Sequence, residues 1–125
     1  MNDRLEHLRQ ALTERGLDGG LVRSGAGLRY FFGYTGSNGL AVVLADRAVF
    51  LTDRRYETQA ASEVRGAEII TRYRNLFEGL EAAGELNEGL RLGFEADVLT
   101  YSQARWLFDR FPGVQWEPLE AFVPA

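Results

Sequence analysis

Leu40-Ala41-Val42-Val43-Leu44-Ala45-Asp46-Arg47-Ala48-Val49-Phe50-Leu51 is the stretch on which the fold turns. Two short apolar runs, 40–44 and 48–51, flank the step Ala45-Asp46-Arg47. A connection this short joins neighbouring antiparallel strands, so the stretch reads as a β-hairpin.

Working outward, the pattern changes period. Towards the N-terminus, Tyr34 to Gly39 reads as a glycine-punctuated loop, Ala26–Phe32 as a short helix, and Gly19–Val22 as a buried strand. Before that, Leu5, Leu8, Ala11 and Leu12 recur at helical spacing. Asp3 is the expected cap, Glu6 sits in capping-box position, and Gly16 is the stop.

Beyond the hairpin, Arg55–Val64 reads as a helix and Glu68–Thr71 as a strand. Asn75 and Glu78 open another helix, which Gly84 closes. Arg91–Phe94 is a strand. Thr100 and Gln103 form a second capping box, opening a helix to Phe111 whose buried stripe is expected to be Tyr101, Ala104, Leu107, Phe108 and Phe111. Val114–Pro118 is a last strand. Strands and helices that alternate around one inserted hairpin predict an α/β fold: a central mixed sheet with helices on both faces.

At 125 residues the chain has the size of one domain. Its hydrophobic content of 46% and charged content of 26% fit an ordinary globular domain. The net charge of −4, with arginines scattered along the chain, argues against a nucleic-acid binder. All 14 basic residues are arginine, which removes P-loop and Schiff-base lysines from consideration. No apolar run approaches the ~20 residues of a membrane span, and the N-terminus enters a charged helix rather than a signal sequence. With no cysteine as well, a cytoplasmic location is expected. The apolar stretch Phe122-Val123-Pro124-Ala125 suggests a cut at a domain boundary at least as strongly as a natural terminus.

The residues offer little catalytic chemistry. Without cysteine, metal ligands would come from His, Asp and Glu, and the one histidine, His7, is expected on the solvent face of its helix. No metal site is therefore expected. A serine triad would need that same imidazole, and no G-x-S-x-G elbow is present. Glu95 and Asp97 follow a strand and could form an acid–base pair; a polar approach to the Thr100 cap accounts for Asp97 better. Gly25-Ala26-Gly27 and Gly36 to Gly39 read as turns rather than phosphate loops. Tyr30, Phe31, Phe32 and Tyr34 read as core, with Tyr34, beside the loop, expected partly outside.

Two segments carry a resemblance. Leu28-Arg29-Tyr30-Phe31-Phe32-Gly33-Tyr34-Thr35-Gly36-Ser37-Asn38-Gly39 resembles an aromatic-x-x-Gly-aromatic-x-Gly-Ser motif. Leu51-Thr52-Asp53-Arg54-Arg55-Tyr56-Glu57-Thr58-Gln59-Ala60 is similar to a Thr-Asp-x-Arg-Tyr motif followed by Gln-Ala. In this order, with a hairpin between them, they resemble the creatinase/prolidase N-terminal domain, which precedes a "pita-bread" catalytic domain. Gly16-Leu17-Asp18, Leu92-Gly93-Phe94-Glu95 and Leu99-Thr100-Tyr101 extend the likeness over essentially the whole chain, while Gly27 departs from the asparagine common in the family.

The resemblance implies a ribonuclease H-like fold and a non-catalytic role for this chain. Its parent would be an Xaa-Pro aminopeptidase or prolidase acting on proline-containing peptides. Two divalent metals, Mn, Co or Zn, would sit in the C-terminal catalytic domain, which these 125 residues lack. This domain would help to build a homodimer and to narrow the substrate entrance. Carried over by motif, Tyr34, Ser37 and Asn38 are candidates for substrate-edge or interface contacts. Asp53, Arg55 and Tyr56 are expected to be structural, an Asp–Arg pair with a packed tyrosine at a helix start. A free-standing peptide- or protein-binding module and a creatinase-like amidinohydrolase parent remain alternatives.

Overall fold

In the computed structural model, residues 3–120 and 122 are described. The element order is α1 (Asp3–Glu14), β1 (Gly19–Val22), α2 (Gly25–Phe32), β2 (Leu40–Leu44), β3 (Ala48–Leu51), a 3-10 turn (Arg54–Tyr56), α3 (Glu57–Glu63), β4 (Glu68–Ile70), α4 (Leu76–Ala83), β5 (Arg91–Glu95), α5 (Tyr101–Arg110) and β6 (Gln115–Leu119). Six strands form one sheet in the order β4-β3-β2-β1-β5-β6.

β2 runs antiparallel to both neighbours, while β1–β5, β3–β4 and β5–β6 pair in parallel. The expected hairpin is present with its expected bounds, and Leu44 N–H closes it on the Arg47 carbonyl at 2.8 Å. Pro118 is tolerated because β6 is an edge strand, where a missing donor costs least.

Alternation along the hairpin separates two cores. Ala41, Val43, Ala48 and Phe50 face one layer with Leu5, Leu8, Leu12, Phe31, Phe32 and Ala60, from α1, α2 and α3. Leu40, Val42, Val49 and Leu51 face the other with Leu76, Phe77, Leu80 and Leu107, from α4 and α5. Each fully buried valine, leucine or phenylalanine among them contributes about 1.5–3 kcal/mol. The mixed sheet with helices on both faces is therefore as expected.

Caps hold the helices where the sequence places them. Asn75 Oδ1 accepts from Phe77 N and Glu78 N, and both halves of the Thr100–Gln103 capping box form. His7 is exposed. Among the described residues, no helix is long and apolar enough to cross a membrane.

Three expectations need correction. Asp3 lies inside the first turn of α1, and residues 1 and 2, where a cap would sit, fall outside the described residues. The helix expected from Arg55 opens instead as a 3-10 turn, because the Asp53 side chain closes on Arg55 N–H two residues ahead. On α5, Tyr101 is 75% and Phe108 39% exposed. That helix is rotated so that Trp106 meets Phe77 of α4, at 5.8 Å between ring centroids, leaving Leu107 as its buried anchor. Of the apolar chain end, only Phe122 lies within the described residues.

Candidate functional site

The site begins where α2 stops. Gly33 adopts φ +80°, a left-handed conformation that a side chain would strain. Its N–H reaches the Arg29 carbonyl at 2.9 Å, and Tyr34 N–H reaches that of Leu28 at 3.3 Å. This reversal drives Tyr34 inward rather than out. The ring is 1% exposed and packs edge-on to Phe50 at 4.8 Å, which corrects the expectation that it lies partly outside. Three aromatic neighbours in sequence gave no sign of which one the turn would reverse.

The loop then folds over that ring. Tyr34 Oη lies 2.9 Å from Thr52 Oγ1 and 3.1 Å from the Asn38 carbonyl, and its one proton bonds these acceptors while the Thr52 hydroxyl donates to that carbonyl. Burial pushes the Tyr34 phenol above its ordinary pKa, so it stays a neutral donor. A Cβ at Gly36 would collide with the Tyr34 hydroxyl and ring, so the loop can pass there only with glycine.

The second motif meets the loop from β3. Asp53 is buried, and four donors converge on its carboxylate. Arg55 N and Nε reach Oδ1 at 3.0 and 2.9 Å; Arg55 Nη2 and Asn38 Nδ2 reach Oδ2 at 2.9 and 2.7 Å. The Arg55 guanidinium, with help from Asn38, holds the carboxyl far below the usual carboxylate range. Tyr56 bonds Ser37 through their hydroxyls. The six residues singled out in the sequence thus form one connected cluster, although the two motifs suggested separate roles. Asp53, Arg55 and Tyr56 hold the loop, and Ser37 is the exposed member of the loop's three.

Glu63 was not anticipated. Its carboxylate takes Thr35 N–H at 2.8 Å and Thr35 Oγ1 at 2.9 Å, pinning the loop to α3 from the other side. That backbone donor lowers its pKa. The Gln59 amide also donates to Thr35 Oγ1, at 2.8 Å. Glu95 is fully buried and accepts from Arg23 N at 2.7 Å, Ser24 N at 2.9 Å and Ser24 Oγ at 2.8 Å, so it ties the β1–α2 turn to β5. Asp97 lies exposed in the turn before α5, and the two do not form an acid–base pair. Only their place after a strand could have drawn attention to Glu95.

A groove of about 570 Å³ opens beside the cluster, lined by Asn38, Asp53, Arg54, Arg55, Thr71, Arg72, Tyr73 and Arg74. It lies beyond the carboxyl ends of β3 and β4, where open α/β sheets place their sites. Among the described residues, no three or more His, Asp or Glu side chains gather as a metal ligand set. The carboxylate at the site is already saturated by Arg55 and Asn38, so these residues do not fit a dinuclear metal centre.

The sequence model of the creatinase/prolidase N-terminal domain matches residues 4–125. The chain belongs to that family. Within it, the domain is 43% identical over 98 residues to the uncharacterized peptidase YqhT of Bacillus subtilis (strain 168), covering 78% of this chain and 28% of that protein. The creatinase/prolidase domain described here therefore spans little more than a quarter of that relative's length.

Its fold matches the crystal structure of the N-terminal domain of cytoplasmic peptidase PepQ from Mycobacterium tuberculosis H37Rv, with a TM-score of 0.84 and 32% identity over 98% of this chain and 96% of that one. An Xaa-Pro dipeptidase from Bacillus anthracis matches with a TM-score of 0.82 and 33% identity, over 96% of this chain and 34% of that one. The PepQ fragment has nearly the same extent as this chain, so a creatinase/prolidase N-terminal domain of this size folds without its neighbours.

Proposed function

We propose that this chain is the non-catalytic N-terminal domain of an Xaa-Pro aminopeptidase or prolidase. In this reading it contributes to a homodimer and narrows the entrance through which proline-containing peptides reach the catalytic centre. The divalent metals, Mn, Co or Zn, belong to a separate C-terminal catalytic domain. A cytoplasmic location goes with the reading, since the PepQ relative carries that description.

The observation that carries the proposal is the braced loop. Tyr34, Asn38 and Thr35 are each tied down, by Thr52, Asp53 and Glu63 respectively, and Ser37 is left exposed at the tip. A loop fixed this firmly can present Ser37 and the Asn38 side chain to a neighbouring subunit without losing further entropy on docking. The cluster also contains no free base or nucleophile with an activating partner, which suits an entrance wall rather than a reaction centre.

The test uses the product of the complete reading frame. Changing Ser37 to tryptophan should raise KM for Xaa-Pro peptides several-fold while kcat changes little and the dimer persists. An unchanged KM for both short and long peptides would remove the loop from the entrance.

A further inference from the structure

Six of the fourteen arginines form ion pairs among the described residues. Arg9, Arg15, Arg47, Arg55, Arg105 and Arg110 each meet a carboxylate. Three of the others meet at the groove beyond β3 and β4. Arg54, Arg72 and Arg74 line it, all three are exposed, and none has an ion pair among the described residues. Asp53 is the acid on its wall, and its oxygens are taken up by Arg55 and Asn38. A chain of net charge −4 thus gathers three guanidinium groups without ion pairs around one concavity, with the Glu57 carboxylate held at its edge by Thr71 at 2.9 Å.

The surroundings favour a ligand over solvent alone. The volume, about 570 Å³, falls within the range of small-molecule sites. The floor is fixed, because Asn38 and Asp53 are locked together at 2.7 Å. Arg72 lies over the Tyr73 ring, at 5.3 Å from its centroid, which limits where its fork can point. Planar guanidinium forks match carboxylate and phosphate oxygens in pairs.

We propose that the groove lined by Arg54, Arg72 and Arg74 is an oxyanion-binding site that takes the carboxylate or phosphate group of a small ligand. Arg72 and Arg74, on the segment after β4, clamp the anion from one side, and Arg54, on the 3-10 turn, closes it from the other. The site shares Asn38 with the loop assigned to the entrance, but its binding groups are Arg54, Arg72 and Arg74, so it does not rest on the peptidase reading.

The test is a titration of the 15N-labelled 125-residue chain at low ionic strength, followed by NMR. Succinate and inorganic phosphate are the two probes, and neutral succinamide is the control. Saturable shifts at residues 53–55 and 71–75 with either anion, weakening as NaCl rises, support the site. A preference for succinate assigns it to carboxylates and a preference for phosphate to phosphorylated ligands. R72A and R74A should each weaken binding about fivefold to tenfold, whereas R29A, on the distant α2, leaves it unchanged. Unaltered signals from the core confirm that the variants fold. Shifts that fail to saturate with both anions, that spread evenly over the surface, or that persist in an R72A/R74A double variant overturn the proposal. That outcome would leave the arginines as a docking face for an acidic protein surface.

Discussion

Asn38 Nδ2 donates to Asp53 Oδ2 at 2.7 Å, and this one bond joins two sequence motifs separated by a hairpin. The loop after α2 and the turn after β3 are thereby a single unit. Asp53 serves at once as cap, ion-pair partner and loop anchor.

Replacing Asp53 with asparagine keeps a capping oxygen but removes the charge that Arg55 pairs with, and should destabilise the fold by about 1–2 kcal/mol, the scale of charge-assisted hydrogen bonds. The loss has a pH signature. The folded carboxyl titrates below its ordinary value, so its ionised form favours folding. That contribution is complete above roughly pH 5 and fades as pH falls through and below the ordinary value near 3.9. Urea denaturation at pH 7 and pH 3 should show the gap between the original chain and D53N shrinking at the lower pH. A gap that stays constant would separate Asp53 from the acid sensitivity.

Tyr34→Phe removes a buried hydroxyl that bonds Thr52 and the Asn38 carbonyl. The expected cost is about 1 kcal/mol, since Thr52 can still donate to that carbonyl. Truncation to alanine also opens a cavity beside Phe50 and should cost about 3–5 kcal/mol. Equal losses for the two variants in denaturant titrations would mean that the ring contributes nothing beyond its hydroxyl.

How much of this was legible in the sequence depends on what each residue answers to. The hairpin, Asn75 and the Thr100–Gln103 box respond to neighbours a few positions away, and all are found where expected. Tyr34 and α5 respond to partners far along the chain. The turn at Gly33 decides that Tyr34 points at Thr52, and contact with Phe77 decides that Trp106, not Phe108, faces inward. A helical period cannot reveal either choice. The site behaves the same way: its six residues were visible as motifs, but Glu63 and Glu95 act through backbone N–H groups, which leave no mark in side-chain spacing.

Gly36→Ala should distort the loop, because the added methyl meets the Tyr34 ring and hydroxyl. A loss of about 1–3 kcal/mol is expected, typical of overpacking. Near-UV circular dichroism should report a changed tyrosine environment. An unaltered spectrum and stability would show that the loop can pass elsewhere.

Glu95→Ala leaves two backbone N–H groups and the Ser24 hydroxyl without their acceptor in a half-buried turn. The expected loss is about 3 kcal/mol, the scale of leaving several donors without their acceptor. Hydrogen exchange should speed up first at Arg23 and Ser24. Protection there equal to that of the original chain would mean another group holds the turn.

Peptide hydrolysis tests the central claim most directly. The purified 125-residue chain and the product of its complete reading frame are each given an Xaa-Pro peptide with Mn, and release of the N-terminal residue is followed. Hydrolysis by the longer product alone is the predicted result. Turnover that rises in proportion to the concentration of the short chain would contradict the account.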